Sequence, residues 1–181
     1  MVRKTLAFLA AASMSAVVCA AQDASPTPAA AAMAAASTGK VSGTLTCSRP
    51  DPMHRVDAAD WPGHGAMVSR TPCTWTTAAE IAGEKTKDGY SVGAADVEKT
   101  VTTERGSHVT TMSNGDLIYV QYRGKGMLND KGAPLSSEGT WTFKGGSGKF
   151  AGLQGMGTYR GKANPDGSMS LAIEGNWKFM Q

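Results

Sequence analysis

The stretch from Gly139 to Tyr159, Gly-Thr-Trp-Thr-Phe-Lys-Gly-Gly-Ser-Gly-Lys-Phe-Ala-Gly-Leu-Gln-Gly-Met-Gly-Thr-Tyr, restricts the fold more than any other part of the chain. From Glu138 to Lys144, Gly139, Trp141 and Phe143 fall on one side while Glu138, Thr140, Thr142 and Lys144 fall on the other. That is the period-2 alternation of a strand with one face buried and one face wet. Gly145, Gly146 and Gly148 then supply backbone angles that a residue with a Cβ adopts only under strain, so the chain can leave the strand abruptly. Ser147 is placed to cap a short helical turn over Gly148 to Gly152, which would bury Phe150 and Leu153. Gly155 and Gly157 open the next strand, and glycine inside a strand marks a bulge or bend where a sheet curls.

A repeat supports the same reading. Tyr122-Arg123-Gly124-Lys125 returns as Tyr159-Arg160-Gly161-Lys162, and Glu138-Gly139-Thr140-Trp141-Thr142-Phe143 returns as Glu174-Gly175-Asn176-Trp177-Lys178-Phe179. The offsets differ by one residue, which the turns absorb: Leu128-Asn129-Asp130-Lys131-Gly132 stands against Asn164-Pro165-Asp166-Gly167. Each copy is a strand, a turn and a strand. Two copies are too few for a solenoid, so they are expected to be successive hairpins of one closed or strongly coiled sheet.

Gly-Ser-Gly-Lys-Phe-Ala-Gly-Leu-Gln-Gly-Met-Gly-Thr-Tyr, preceded by Gly-Thr-Trp-Thr-Phe, resembles the corresponding segment of the allene oxide cyclase and dirigent barrel superfamily, which includes secreted bacterial members. The resemblance covers Glu138 to about Gly161 and is carried by glycines and small residues. It implies an eight-stranded antiparallel barrel with an apolar lumen. It carries over no catalytic residue, because no motif of this chain aligns with the active residues of the plant enzymes.

The chain opens with the pattern of an export signal: Arg3 and Lys4, an apolar run from Leu6 to Val18, and the small-residue site Val18-Cys19-Ala20. The run is too short for a membrane-spanning helix. Lipid anchoring at Cys19 is an alternative, although Ala16-Val17-Val18 puts a β-branched residue where a small one is wanted. Residues 21–39, rich in Ala, Pro, Ser and Thr, read as a disordered linker, and the 142 residues from Lys40 onward are enough for one domain with a core. Loss of Arg3 and Lys4 leaves 16 basic residues against 15 acidic ones, so the balance does not argue for nucleic acid. The expected location is periplasmic or secreted.

Within the domain, Val41, Gly43, Leu45 and Cys47 alternate with Ser42, Thr44 and Thr46. Ser48 to Ala66 reads as a long loop, Glu80 to Gly89 as loop or edge, and Asp96 to Glu104 as one polar strand. Cys47 and Cys73, which survive export, flank the loop. An isolated pair in an oxidising compartment is read as a disulfide, the alternative being two buried thiols. Asn114-Gly115 between alternating runs signals a two-residue type I′ turn, and the register that follows sets His108 opposite Gln121 and Thr110 opposite Tyr119. Leu171, Ile173, Trp177 and Phe179 form a last apolar stripe. The expected fold is all-β, a single antiparallel barrel of about eight strands.

On that register His108, Tyr119, Gln121 and Arg123 share one face. They form either a convergent ligand site, if the face looks inward, or a solvated strand surface. Trp61-Pro62-Gly63-His64-Gly65 adds Trp61 and His64 as a lid or partner anchor, or as packing on the barrel end. His54, His64 and His108 match no metal-ligand spacing. There is no Gly-x-Ser-x-Gly elbow, and Gly-Gly-Ser-Gly-Lys-Phe fails as a phosphate loop because Phe150 stands where magnesium needs Ser or Thr. The sequence names no catalytic residue and leaves enzymatic activity open; no metal or cofactor is expected. The functional expectation is an exported barrel that holds a small apolar or aromatic molecule, or a protein partner, at one mouth. A cyclase-type isomerase and a ligand-free surface component are the alternatives, and self-association through an apolar outer face is open.

Overall fold

Inward and outward side chains alternate along every long strand, and the strands join into a closed wall. The computed structural model describes residues 38–179; the expected signal segment and most of the expected linker lie outside the described residues. The strands are β1 (Thr38–Cys47), β2 (Met53–Asp57), β3 (His64–Thr77), β4 (Glu80–Ile81), β5 (Glu84–Glu98), β6 (Val101–Met112), β7 (Leu117–Leu128), β8 (Pro134–Gly146), β9 (Leu153–Ala163) and β10 (Met169–Phe179). Eight of them close the barrel in the order β1, β10, β9, β8, β7, β6, β5, β3 and back to β1, every pair antiparallel. A lone 3-10 turn, Gly148–Phe150, follows β8.

The two remaining strands are additions to the wall. β1 and β2 pair with the same edge of β3, Cys47 opposite Cys73 and Met53 opposite Ser69, so they are successive pieces of one line. Across the break, Ser48 N–H donates to Pro72 O (2.9 Å) and Arg70 N–H to Pro52 O (3.0 Å). Cys47 and Cys73, directly opposed, form a disulfide with an S–S distance of 2.07 Å. β4 is a flap that turns back onto β5.

The barrel has a plugged end and an open end. At the plugged end Met112, Ile118, Phe150, Leu153, Ala79 and Ile81 are fully buried and pack with Phe143 and Trp177. Each large apolar side chain buried there contributes about 1.5–3 kcal/mol relative to exposure. The Thr86 hydroxyl accepts the Ala79 N–H (2.9 Å), tying the flap to the wall. Inward glycines make room for the largest rings: a Cβ at Gly157 or Gly175 would run into the Trp141 indole, whose N–H donates to Thr158 O (3.1 Å). The outer wall carries exposed Arg105, Arg123, Lys125, Glu138 and Arg160 alongside exposed Val92, Tyr119 and Met156. Among the described residues no helix is long and apolar enough to cross a membrane.

Several local expectations need correction. The first strand starts at Thr38, two residues before the expected domain boundary. The expected loop Ser48 to Ala66 contains β2 and the start of β3, because its polar residues still satisfy their backbone groups along the β3 edge. Glu80 to Gly89, expected as loop or edge, is the β4–β5 hairpin with β4 at the edge of the sheet, turned at Ala82 and Gly83, both at positive φ. Asp96 to Glu104 is not one strand: β5 ends at Glu98 and reverses at Lys99, whose φ is 57°. Ser147 makes no side-chain cap; its hydroxyl accepts the Leu117 N–H (2.8 Å), and Asp116 takes the Lys149 N–H (3.0 Å) instead.

The β6–β7 register is displaced by one residue. His108 lies opposite Val120 and Thr110 opposite Ile118. A type I′ turn needs positive φ at both central residues. Only Gly115 has it (89°), and the chain closes around a longer loop in which Met112 N–H donates to Asp116 O (2.8 Å). The Asn114 side chain holds this loop by accepting the Asp116 N–H (3.0 Å) and donating to the Asp116 carboxylate (2.8 Å).

Candidate functional site

The inward positions of the eight strands enclose a cavity of about 250 Å³ that reaches the loops Ser48, Pro50, Pro134, Gly167 and Ser168 at the open end. Its wall is mostly apolar, with Val41, Leu45, Trp75, Val120, Trp141 and Leu171 among the lining residues. Two polar groups of residues interrupt it.

The first is built on one cross-strand row. Ala95, Glu104, Gly124, Gly139, Tyr159 and Ile173 are successive partners across β5, β6, β7, β8, β9 and β10. A Cβ at Gly124 or Gly139 would collide with the Tyr159 hydroxyl, so these glycines let the tyrosine span two strands. The hydroxyl donates to Glu104 Oε1 (3.1 Å), and the Ser137 hydroxyl donates to the same oxygen. Tyr122 lies over Gly106 and Gly93 on the neighbouring strands and meets Tyr159 edge-on, with ring centroids 6.2 Å apart. Burial, helped by the Glu104 charge, pushes the Tyr122 hydroxyl up to about 12 and the Tyr159 hydroxyl well above its ordinary value. Both remain protonated donors at neutral pH.

The second group lies deeper. His108 Nδ1 is 2.9 Å from Ser91 Oγ, and Nε2 is 2.8 Å from Thr110 Oγ1, which accepts the Trp75 indole N–H (3.2 Å). Burial holds His108 down to about 4, so the ring is neutral at physiological pH. With both nitrogens engaged by hydroxyls, His108 is a satisfied lumen histidine that orients Ser91 and Thr110.

The six residues singled out from sequence do not come together. His108, 6% exposed, lines the cavity. Tyr119, Gln121 and Arg123 stand on the outer wall in solvent, and the one-residue register displacement puts His108 on the opposite face from them. Trp61 and His64 sit outside the cavity at the rim. Trp61 is 50% exposed and stacks on His64 with centroids 4.1 Å apart. The His64 ring bonds Asp60 (2.7 Å) and Asp96 (3.2 Å), and the Asp60 hydrogen bond, aided by Asp96, raises its pKa above 6.5.

Sequence reasoning missed Glu104, Tyr122, Tyr159, Ser137 and Ser91. The alternation would place each on a face, but nothing local says that residues 55 positions apart share a row. Among the described residues no cluster of His, Cys, Asp and Glu could hold a metal ion. The fold and site thus define a closed eight-stranded barrel with a mouth, an apolar lumen and one embedded carboxylate. No protein-family model matches the chain, and no curated protein matches it.

Proposed function

We propose that this is an exported binding protein that takes a small, largely apolar or aromatic molecule into its barrel lumen through the open end. One observation carries the reading: a ligand-sized, mostly apolar cavity into which a few oriented polar groups converge. Export is supported by the leader-like first twenty residues and by the Cys47–Cys73 disulfide, which fits an oxidising compartment. The eight-stranded closed barrel supports the resemblance of residues 138–161 to the allene oxide cyclase and dirigent superfamily.

A cyclase-type isomerase is the second reading. It is favoured by protonated tyrosines and a carboxylate facing a largely apolar lumen, where positioning does much of the chemistry. The test for binding is native mass spectrometry of protein purified from its own host, together with quenching of tryptophan fluorescence by naphthalene. Ala95→Trp, which fills the lumen from β5, is expected to abolish both the co-purifying mass and the quenching. Equal naphthalene binding by wild type and Ala95→Trp would remove the lumen as the site. A co-purifying molecule that emerges rearranged after incubation would favour the isomerase.

A further inference from the structure

Among the described residues, no cationic side chain pairs with the carboxylate that lines the lumen. Among the described residues lining the cavity, Glu104 is the sole carboxylate, and there is no lysine or arginine. His108 cannot serve as its counter-ion at neutral pH, because it is uncharged there and both ring nitrogens are engaged elsewhere. No ion pair among the described residues involves Glu104. Taking a carboxylate out of bulk water without a cationic partner is costly, and such charges are normally paired.

The carboxylate is also held in one orientation. Ser137 and Tyr159 both donate to Oε1, and no described protein group donates to Oε2. Among the described residues no buried side-chain oxygen or nitrogen lacks a partner, so Oε2 is not sealed inside the wall. Tyr159 lies over the inward glycines Gly124 and Gly139, which follow Glu104 in its row, and so brings its hydroxyl to the carboxylate. Tyr122 and Tyr159 supply ring surface next to the carboxylate, the arrangement that favours an organic cation over a hydrated metal ion.

We propose that the lumen selects small organic ammonium ions, with the cationic nitrogen at Glu104 Oε2 and the apolar body against the tyrosine and tryptophan rings below it. This rests on the lumen-binding reading and adds the charge class of the ligand. Ser137 and Tyr159 are positioning residues: they fix the carboxylate and do not touch the ligand nitrogen themselves.

The test is a charge series on the intact mature protein at neutral pH, by isothermal titration calorimetry. The probes are 2-phenylethylammonium, 2-phenylethanol and 3-phenylpropanoate, repeated with hexylammonium, hexanol and hexanoate. The ammonium of each set is expected to bind at least about tenfold tighter than its alcohol, and the carboxylate more weakly than either. Glu104→Gln, which keeps the size of the side chain, should reduce the ammonium to the level of the alcohol.

If the alcohols bind as well as the ammonium ions in wild type, the charge inference falls while lumen binding stands. Preference for ammonium that survives Glu104→Gln also overturns it. If none of the six probes nor naphthalene binds, the lumen reading itself has failed. The wild-type series does not depend on any variant folding.

Discussion

The two ends of the barrel are made from the same strands and have opposite chemistry. At the plugged end, Phe150 from the 3-10 turn and Ala79 and Ile81 from the β4 flap fold under the strand ends, so the side chains meeting there are fully buried. At the open end the connections carry Ser48, Pro50, Gly167 and Ser168, and the cavity reaches them beside Pro134, Leu128 and Met169. Alternation alone makes a tube, and what decides whether an end is closed is whether the connecting segment returns an apolar side chain to the axis. Between the two ends, tyrosines, glycines and Glu104 replace the aliphatic filling that a small barrel ordinarily uses.

The largest effect should come from opening the plug. Phe150→Ala is expected to lose about 3–5 kcal/mol in urea denaturation, against roughly 1 kcal/mol for Met67→Ala near the mouth. Equal losses would mean that the ends do not differ in packing as described. Next, the Cys47→Ala, Cys73→Ala double variant should lose about 3–4 kcal/mol, since the bridge closes a loop of 26 residues in sequence separation. A loss under 1 kcal/mol would show that the β1–β3 seam holds without it.

His108 gives a pH dependence of its own. Its folded pKa, about 4, lies below the ordinary 6.5, so between those values the unfolded chain binds a proton that the folded one does not. Stability is full above about 6.5 and falls as pH drops toward 4, by on the order of 3 kcal/mol. His108→Gln should flatten that limb in urea melts taken at a series of pH values, and an unchanged limb would assign it to other groups.

The smallest effect belongs to the rim. Trp61→Ala should change stability by no more than about 0.5 kcal/mol and leave lumen binding intact, because Trp61 stacks on His64 outside the cavity. His64 works with the opposite sign to His108. Its raised pKa gives stability that is present below 6.5 and is lost as pH rises through the folded value. Its imidazole should titrate above 6.5 by NMR, and Asp60→Asn should lower that midpoint. A midpoint at or below 6.5 would dissolve the rim network.

Much of the wall was legible residue by residue. Val41, Leu45, Cys47, Trp141, Phe143, Phe150 and Trp177 are buried as their alternation and spacing required. The repeat of Tyr122 and Trp141 as Tyr159 and Trp177 puts all four rings on the inner face. Less was legible where a turn carries no distinctive chemistry. Lys99 reverses the chain with no Gly, Pro or Asn beside it, which hid the β5–β6 hairpin. Asn114-Gly115 fits two turn types, and choosing the shorter one moved Tyr119, Gln121 and Arg123 onto the wrong partners.

The sequence by itself determined which side chains share a face within each strand, because successive residues must point to opposite sides of a pleated chain. Only the tertiary structure decided which faces meet across the lumen. Rows are set by hydrogen-bond register between strands, and register depends on the length of each turn and on closure of the whole ring. For that reason Glu104 and Tyr159, 55 residues apart, become partners only once the barrel has closed.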